Sequence, residues 1–272
     1  MSDTYISLKL SSERAFFLLK LMGFNELLGF SNPFKNDSQE EMNQSLLNAK
    51  QQLLEEKLIF ETEGRIELDP TVYTILQGCK LCERVSWLNI IRDEKIYDYY
   101  YFISSQQVIE LTEELSDQSS SVEFKLIGNI YDYLVEILAN IDSPNEECSL
   151  PFRDSISVES LNFIVNNLNH ASLKELETYV LEEGASIPFA KALVKGFKHN
   201  TAIGQLVYFL KTVDGWNTKG MKFLIEPNGN WLFTQSDQDN KKDVFHAECF
   251  NRSDFYKSLI EKAVSSAKQF SY

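Results

Sequence analysis

Apolar residues recur at two different periods along this chain of 272 residues, and the change of period separates helical from strand-rich stretches. From Met42 to Leu53 the apolar positions are spaced by four, three and four, which places them on one helix face. Ser38 is followed three residues later by Glu41, and this spacing fits a capping box. The pattern therefore predicts an amphipathic helix that begins after Ser38.

A short hairpin and another helix are predicted directly after this helix. Glu63-Gly64 is a turn dipeptide between two short strand-like runs, 58–62 and 65–68, and this arrangement is typical of a hairpin. Asp69-Pro70 then supplies a helix cap and a proline at the first helical position. The sequence thus predicts helix, hairpin and helix between residues 38 and 77.

Beyond residue 85 the pattern changes to the two-residue period of strands, rich in β-branched and aromatic residues. The hairpin closed by Asn228-Gly229 gives the clearest signal, because Asn-Gly readily adopts the positive φ of a tight turn. The further predicted strands are 85–92, 96–104, 107–112, 122–127, 202–213, 221–226, 230–234 and 244–250. The further predicted helices are 11–29, 129–140, 157–168, one from Ser172, one from Ser186 to Gly196, and 253–268.

The order of helices, strands and a closing helix occurs twice, which predicts an α+β fold with two similar halves in a quasi-two-fold arrangement. Residues 142–154 contain two prolines among polar residues and form the best linker in the sequence. We therefore predict a first half over 1–141, a linker over 142–154 and a second half over 155–272.

The net charge of the chain limits the classes of partner that this protein is expected to bind. Asp and Glu outnumber Lys and Arg by 40 to 26, the formal net charge is −14, and no dense basic run is present. Nucleic acids and anionic membranes require clustered cations, so the composition argues against both partners. No run approaches the ~20 apolar residues of a membrane span, and the first residues lack a secretory signal pattern. We expect a cytoplasmic protein whose four cysteines are reduced thiols.

Two pairs of residues have spacings found in zinc sites. Cys79 and Cys82 form a Cys-x-x-Cys, and His246 and Cys249 form a His-x-x-Cys far downstream. The two pairs lie in different predicted halves, and the second pair lies on a predicted strand that would spread its ligands. We therefore favour the interpretation that these are small, half-buried thiols, and we expect no metal site.

Catalytic motifs are absent from the sequence. The chain has three histidines, His170, His199 and His246, and none lies in a nucleophile-elbow or helical metal-ligand motif. No glycine-rich loop that could hold phosphates or a dinucleotide is present. The acidic run Asp237–Asn240 lacks the glycine and the terminal glutamate of a calcium loop and is interpreted as a solvated hairpin tip. We expect no catalytic residue and no cofactor, although a triad assembled from dispersed residues leaves no local signal.

The predicted helix–hairpin–helix segment is also compatible with a winged helix, which would indicate DNA binding. Its acidic residues are Glu40, Glu41, Glu55, Glu56, Glu61, Glu63 and Glu67, against Lys50 and Lys57. Such a surface repels phosphates, so a structural or protein-binding use is favoured. A winged-helix regulator or toxin–antitoxin component remains the alternative function.

One predicted helix of the second half carries a candidate partner site. Phe189, Leu193 and Phe197 are spaced by four and form an apolar stripe. Such a stripe is either core packing, which is the commoner case, or the wall of a groove that receives a partner's helix. Trp216, in a predicted loop, is the other candidate contact, because tryptophan is enriched among the residues that dominate binding energy.

Three stretches together resemble the EspG family of type VII secretion chaperones. They are LLEEKLIFETEGRIELDPTVYTILQGC at 53–79, RVSWLNIIRDEKIYDYYYFISSQQVIELTEEL at 84–115, and MKFLIEPNGNWLFTQ at 221–235. The likeness lies in the order of helix, ribbon, helix, strand meander and C-terminal hairpin. It implies a central, mostly antiparallel sheet with a helical bundle in each half.

The resemblance also implies a function as a cytosolic chaperone and no enzymatic activity. EspG chaperones bind the tip of a helical secretion substrate, keep it soluble and help pass it to the secretion machine, and their known partners are PE–PPE pairs. This sequence is rich in Asn, Lys, Ile and Tyr, as in low-GC bacteria, so the expected partner is an LXG- or WXG-type helical protein. The family's contacts come from a loop in the sheet and the C-terminal bundle, and no fixed motif assigns them to single residues.

Overall fold

The computed structural model describes residues 6–115, 120–143, 148, 152–213, 215–235 and 244–268, apart from the side chains of 115 and 263–268. Runs of strands and runs of helices follow one another along these residues. The strands are β1 (Ile6–Ser11), β2 (Ile59–Thr62), β3 (Arg65–Leu68), β4 (Arg84–Arg92), β5 (Lys95–Ile103), β6 (Val108–Leu115), β7 (Ser120–Gly128), β8 (Arg153–Ser157), β9 (Ala202–Thr212), β10 (Gly215–Glu226), β11 (Gly229–Gln235) and β12 (Val244–Phe250). The helices are α1 (Ser12–Leu21), α2 (Gln39–Glu55), α3 (Pro70–Lys80), α4 (Ile130–Ile141), α5 (Val158–Asn167), α6 (Leu173–Glu182), α7 (Ile187–Lys198) and α8 (Arg252–Lys268).

Ten strands form one antiparallel sheet in the order β1–β7–β6–β5–β4–β9–β10–β11–β12–β8, and β2 and β3 form a separate hairpin. In the second part of the sheet, Trp231 of β11 lies opposite Leu224 of β10 on one side and Cys249 of β12 on the other. This architecture confirms the predicted α+β class and the predicted antiparallel sheet.

Local side-chain chemistry sets the start of most helices, as the sequence predicts. The capping box of Ser38 and Glu41 is present at α2, and Ser172 with Glu175 forms a second one at α6. At α3 the side chain of Asp69 accepts a hydrogen bond from the Thr71 N–H at 2.8 Å. These caps span three residues or fewer, so the sequence alone specifies them.

The prediction of a first helix over 11–29 is wrong at its C-terminal end, because α1 ends at Leu21. Gly23 adopts a φ of +74°, and its N–H donates to the Lys20 carbonyl at 3.0 Å. The Phe24 N–H donates to the Leu19 carbonyl at 3.0 Å, which completes a Schellman motif and stops the helix.

Two strands were not predicted. β1 pairs with β7, from Ile6 opposite Leu126 to Ser11 opposite Ser121, so its partner is far along the chain. β8 begins at Arg153, inside the segment predicted as a linker, and pairs with β12. β1 has the two-residue period of a strand at Ile6, Leu8 and Leu10, which was overlooked in the sequence, whereas β8 forms next to a distant partner inside a polar segment.

The chain divides into two compact units, each assembled from several segments. Unit 1 comprises Met1–Trp87, Asp98–Tyr133 and Phe209–Asn217, and unit 2 comprises Leu88–Tyr97, Leu134–Tyr208 and Thr218–Tyr272. These units follow contacts in space rather than chain order. The division into halves at 142–154 stays a prediction about the order of elements along the chain.

The core of unit 1 lies between helices α1 to α3 and its strands. Leu18, Leu53 and Ile75, one from each helix, are buried together with Ile109 of β6 and Phe124 of β7. The stripe predicted for α2 is therefore the face that packs inward at Leu53. Burying large aliphatic side chains of this kind contributes about 1.5–3 kcal/mol each to folding.

The core of unit 2 is centred on Trp231 of β11, which is fully buried. Its Nε1–H donates to the Glu226 carboxylate at 3.0 Å. Its ring stacks with Phe152 at a centroid distance of 6.2 Å and meets Phe189 of α7 edge-on at 5.8 Å. The tryptophan thus connects the sheet to the α5–α7 helices and satisfies a buried carboxylate.

Gly204 of β9 permits a close approach inside unit 2. A Cβ atom at this position would lie 2.3 Å from the Phe223 ring and 2.6 Å from the Asn89 carbonyl oxygen. We expect Gly204→Ala to lower the free energy of unfolding by about 1–3 kcal/mol, because both neighbours must move. Urea denaturation followed by circular dichroism measures this change.

Gly220→Ala is the matched control for Gly204→Ala. Gly220 also lies on a strand, but the nearest atom to an added Cβ is Val207 Cγ2 at 3.3 Å, the end of a side chain. The alanine also removes backbone freedom from the unfolded chain, so the change should stay within about 1 kcal/mol of wild type. Equal destabilisation of the two variants would contradict the proposed role of Gly204.

Candidate partner-binding surface

The turn between β9 and β10 presents two apolar side chains to solvent. We call Val213, Gly215 and Trp216 the hairpin tip, while Asp214 lies outside the described residues. Val213 is fully exposed, and Trp216 is 48% exposed. A solvent-exposed tryptophan beside an exposed valine is typical of a protein-binding contact, because their burial in a complex would be favourable.

Local backbone chemistry determines the shape of the hairpin tip. Gly215 adopts a φ of +130°, a conformation that residues with a Cβ rarely reach. The Thr212 hydroxyl donates to the Gly215 carbonyl oxygen at 3.0 Å. This hydrogen bond joins the end of β9 to the start of β10.

An apolar cavity of about 210 Å³ opens in unit 2 beside α5, and we call it the α5 groove. Its mouth carries Ile91 of β4 and Val165 of α5, which are exposed. Its inner wall is formed by the aromatic rings of Phe197, Phe223 and Phe233. Sites for small molecules usually occupy about 300–1,000 Å³, so the groove fits one or two apolar side chains of a partner better than a cofactor.

The structure buries the three predicted stripe residues in the core of unit 2. Phe189, Leu193 and Phe197 have 1%, 0% and 2% of their surface exposed. The Phe197 ring lies 6.1 Å from the Phe233 ring, and Phe197 also lines the α5 groove. The stripe therefore packs in the core, which is one of the two roles that the sequence allowed. Its contact with a partner stays a prediction. Trp216, the fourth predicted residue, is on the surface, but it is the second residue of β10 and not part of a loop as predicted.

Sequence reasoning missed Ile91 and Val165. Each had a weak signal, because each follows a buried apolar residue directly. Ile90 and Ile91 are adjacent in β4 and so point to opposite faces of the sheet, and Ile164 and Val165 are adjacent in α5. In both pairs the first residue is buried and the second is exposed. An apolar residue that breaks the inward period marks a candidate contact.

The cysteines have the environment of buried thiols. Burial raises the pKa of the Cys82 thiol to about 11 and raises the pKa of Cys79 above its usual range. Burial, followed by the neighbouring Cys148, raises the pKa of Cys249. Thiols that resist ionisation are poor metal ligands and poor nucleophiles. Among the residues that the structure describes, no group of three or more His, Cys, Asp and Glu side chains could hold a metal ion.

The Ser155 hydroxyl lies 3.3 Å from His246 Nδ1. The two residues lie opposite each other on the exposed face of β8 and β12. This geometry is that of a polar pair across two strands at the edge of the sheet.

The acidic run Asp237–Asn240, which was interpreted as a solvated hairpin tip, lies outside the described residues.

Unit 1 contains the predicted helix, hairpin and helix as α2, β2–β3 and α3. Lys50 of α2 lies 2.9 Å from Glu61 of β2, and Arg14 of the neighbouring α1 pairs with Glu56 at the end of α2. These two ion pairs neutralise cations on a segment that is already rich in glutamate. Separately, none of the helices in the described ranges has the length and apolar character needed to span a bilayer.

Comparison with known proteins identifies a structural neighbour. The chain superposes on the chaperone EspG5 of the Mycobacterium tuberculosis type VII secretion system, whose structure is described in complex with a PE25–PPE41 dimer. The match covers 90% of this chain and 91% of that chain, with a TM-score of 0.62 and 7% sequence identity. No family model matches the sequence, and no curated protein matches it. The likeness is one of fold.

Proposed function

We propose that this protein is a cytoplasmic, non-enzymatic chaperone that binds a helical type VII secretion substrate and keeps it soluble for export. The observation that carries the proposal is the fold shared with EspG5 over 90% of the chain. A fold can host several functions, so the proposal also requires a suitable surface. We propose an LXG- or WXG-type protein, alone or as a heterodimer, as the partner.

The hairpin tip and the α5 groove supply candidate surfaces for such a partner. A helix binds through apolar side chains three and four positions apart, which insert between aromatic and aliphatic residues. Trp216 and Val213 are exposed anchors of this kind, and Ile91 and Val165 flank a cavity with an aromatic wall. The tip is also a loop of the sheet, which is the kind of element that contacts substrate in the EspG family.

Co-expression with small helical secretion substrates of the native host tests the proposal directly. We expect a substrate that aggregates alone to co-purify with this protein as a complex of fixed stoichiometry, measured by size-exclusion chromatography with light scattering. The complex should persist at moderate salt, because apolar contacts are weakly screened.

Two results would overturn this function. One is the failure of every helical substrate tested to bind or to gain solubility. The other is salt-sensitive retention of DNA, which would favour the winged-helix regulator that the helix–hairpin–helix order of unit 1 leaves as the alternative. The host's non-secreted helical proteins serve as the control for non-specific binding to the exposed apolar residues.

A further inference from the structure

The sulfur atoms of Cys148 and Cys249 lie 3.5 Å apart in unit 2, although the two residues are 101 positions apart in the chain. Neither cysteine forms a disulfide in the structure. A disulfide requires an S–S distance of about 2.05 Å, so a small side-chain rotation would bring the two atoms within bonding range. From this geometry we propose that Cys148 and Cys249 are a redox-sensitive pair that forms a reversible disulfide on exposure to a low-molecular-weight disulfide.

Cys249 and the described residues nearest to Cys148 contact other residues of unit 2. The Cys249 N–H donates to the Phe152 carbonyl at 2.9 Å, and the Phe152 ring stacks on Trp231. On the other side of Cys148, the Ser143 N–H donates to the Tyr256 hydroxyl at 2.9 Å. Ser143 and Phe152, the nearest described residues before and after Cys148, therefore both contact other residues of unit 2.

Gly229 provides the space that the sulfur pair occupies. A Cβ atom on Gly229 would lie 2.5 Å from Cys249 Sγ and 3.4 Å from Cys148 Sγ. A side chain at this position would displace Cys249 Sγ, while Cys148 Sγ would stay at ordinary contact distance. The missing side chain at Gly229, the first residue of β11, therefore leaves room for the sulfur atom of Cys249 beside Cys148.

The two thiols differ in access, and this difference sets the order of the reaction. Cys148 is half-buried and Cys249 is buried. The Cys148 thiolate attacks one sulfur of the reagent, forms a mixed disulfide and expels one thiolate. Cys249 then loses its proton to the expelled thiolate and attacks Cys148 Sγ, which releases the second reagent thiol. The 3.5 Å separation of the two sulfur atoms makes this step intramolecular, and this proximity offsets the raised pKa of Cys249. Two protein thiols and one small disulfide give one protein disulfide and two small thiols, so the atoms and electrons balance.

Peptide mapping tests the proposal on the full-length folded protein. The protein is incubated with oxidised glutathione, the remaining thiols are alkylated, and the protein is digested with trypsin. We expect a disulfide between the peptides 126–153 and 243–252, which contain Cys148 and Cys249 respectively. Dithiothreitol should remove this linkage, and its amount should not depend on protein concentration.

Matched variants separate this pair from the other two cysteines. Cys82→Ala removes one thiol of the buried Cys79–Cys82 pair and should leave the 126–153 to 243–252 linkage intact. Cys148→Ser should abolish this linkage. In that variant, Cys249 should be alkylated only after the protein is unfolded. A linkage that forms only in denaturant, or a stable glutathione adduct on Cys148 as the end product, would overturn the proposal.

Thermal unfolding gives a second readout that does not depend on mass spectrometry. The bond would close a long loop and restrict the unfolded chain, so oxidation should raise Tm by at least about 5 °C. The shift should vanish in Cys148→Ser and persist in Cys82→Ala. A lower Tm after oxidation of the wild type would show that the native geometry does not accommodate the bond.

Discussion

Replacing Phe189, Leu193 and Phe197 together by alanine should unfold unit 2. All three side chains are buried against Trp231, Phe233 and their neighbours. Truncation of a buried Phe costs about 3–5 kcal/mol and of a buried Leu about 2–5 kcal/mol, so the three changes sum to about 8 kcal/mol or more. This loss is comparable with the whole stability of a typical protein, about 5–15 kcal/mol. Circular dichroism and urea denaturation measure it.

Ile187→Ala is the matched control on the same helix. Ile187 is the first residue of α7 and is 59% exposed, so its truncation should change stability by no more than about 0.5 kcal/mol. A triple variant that keeps native circular dichroism and a native urea midpoint would contradict the burial of the stripe. If the triple variant unfolds as expected, its loss of partner binding reports the loss of the fold and says nothing about direct contact.

Trp216→Ala should weaken substrate binding strongly while the protein remains folded. A tryptophan that anchors a protein interface contributes 2 kcal/mol or more, which corresponds to a loss of about 30-fold or more in affinity. Trp216 is half exposed at the hairpin tip, so its truncation removes little core packing. Calorimetric titration with the co-purified substrate measures Kd, and urea denaturation confirms the unchanged fold.

Tyr131→Ala provides an aromatic control for Trp216→Ala. Tyr131 lies on α4 and is 76% exposed, so it tests whether any exposed aromatic residue affects binding. We expect Kd to stay close to wild type in this variant. An unchanged Kd in Trp216→Ala would remove the hairpin tip from the proposed interface, and an equal loss in both variants would indicate non-specific adhesion.

Helix starts and tight turns could be predicted from the sequence because their causes are local. The capping boxes at Ser38 and Ser172 involve residues three positions apart. The turn at Glu63-Gly64 has positive φ at both residues, as a two-residue hairpin requires. The prediction of helix 11–29 was wrong because its apolar pattern continues past Leu21, whereas the Schellman motif at Gly23 ends the helix.

The candidate site was less predictable, because exposure is a property of the assembled structure. Phe189, Leu193 and Phe197 and the exposed Trp216 all have the chemistry of partner contacts in the sequence. Packing against Trp231 and Phe233 encloses the first three, and the position of Trp216 at the start of β10 leaves it half exposed. Ile91 and Val165 became candidates only when strands and α5 formed a groove around them.

The sequence by itself determined the α+β class, most of the helix and hairpin positions and the acidic surface, since each follows from composition, periodicity or contacts within a few residues. Tertiary structure alone decided the strand order, the pairing of β1 with β7 and of β8 with β12, and the approach of Cys148 to Cys249. These features join residues that are distant in the chain. Their formation depends on the total free energy of packing, which no local pattern contains.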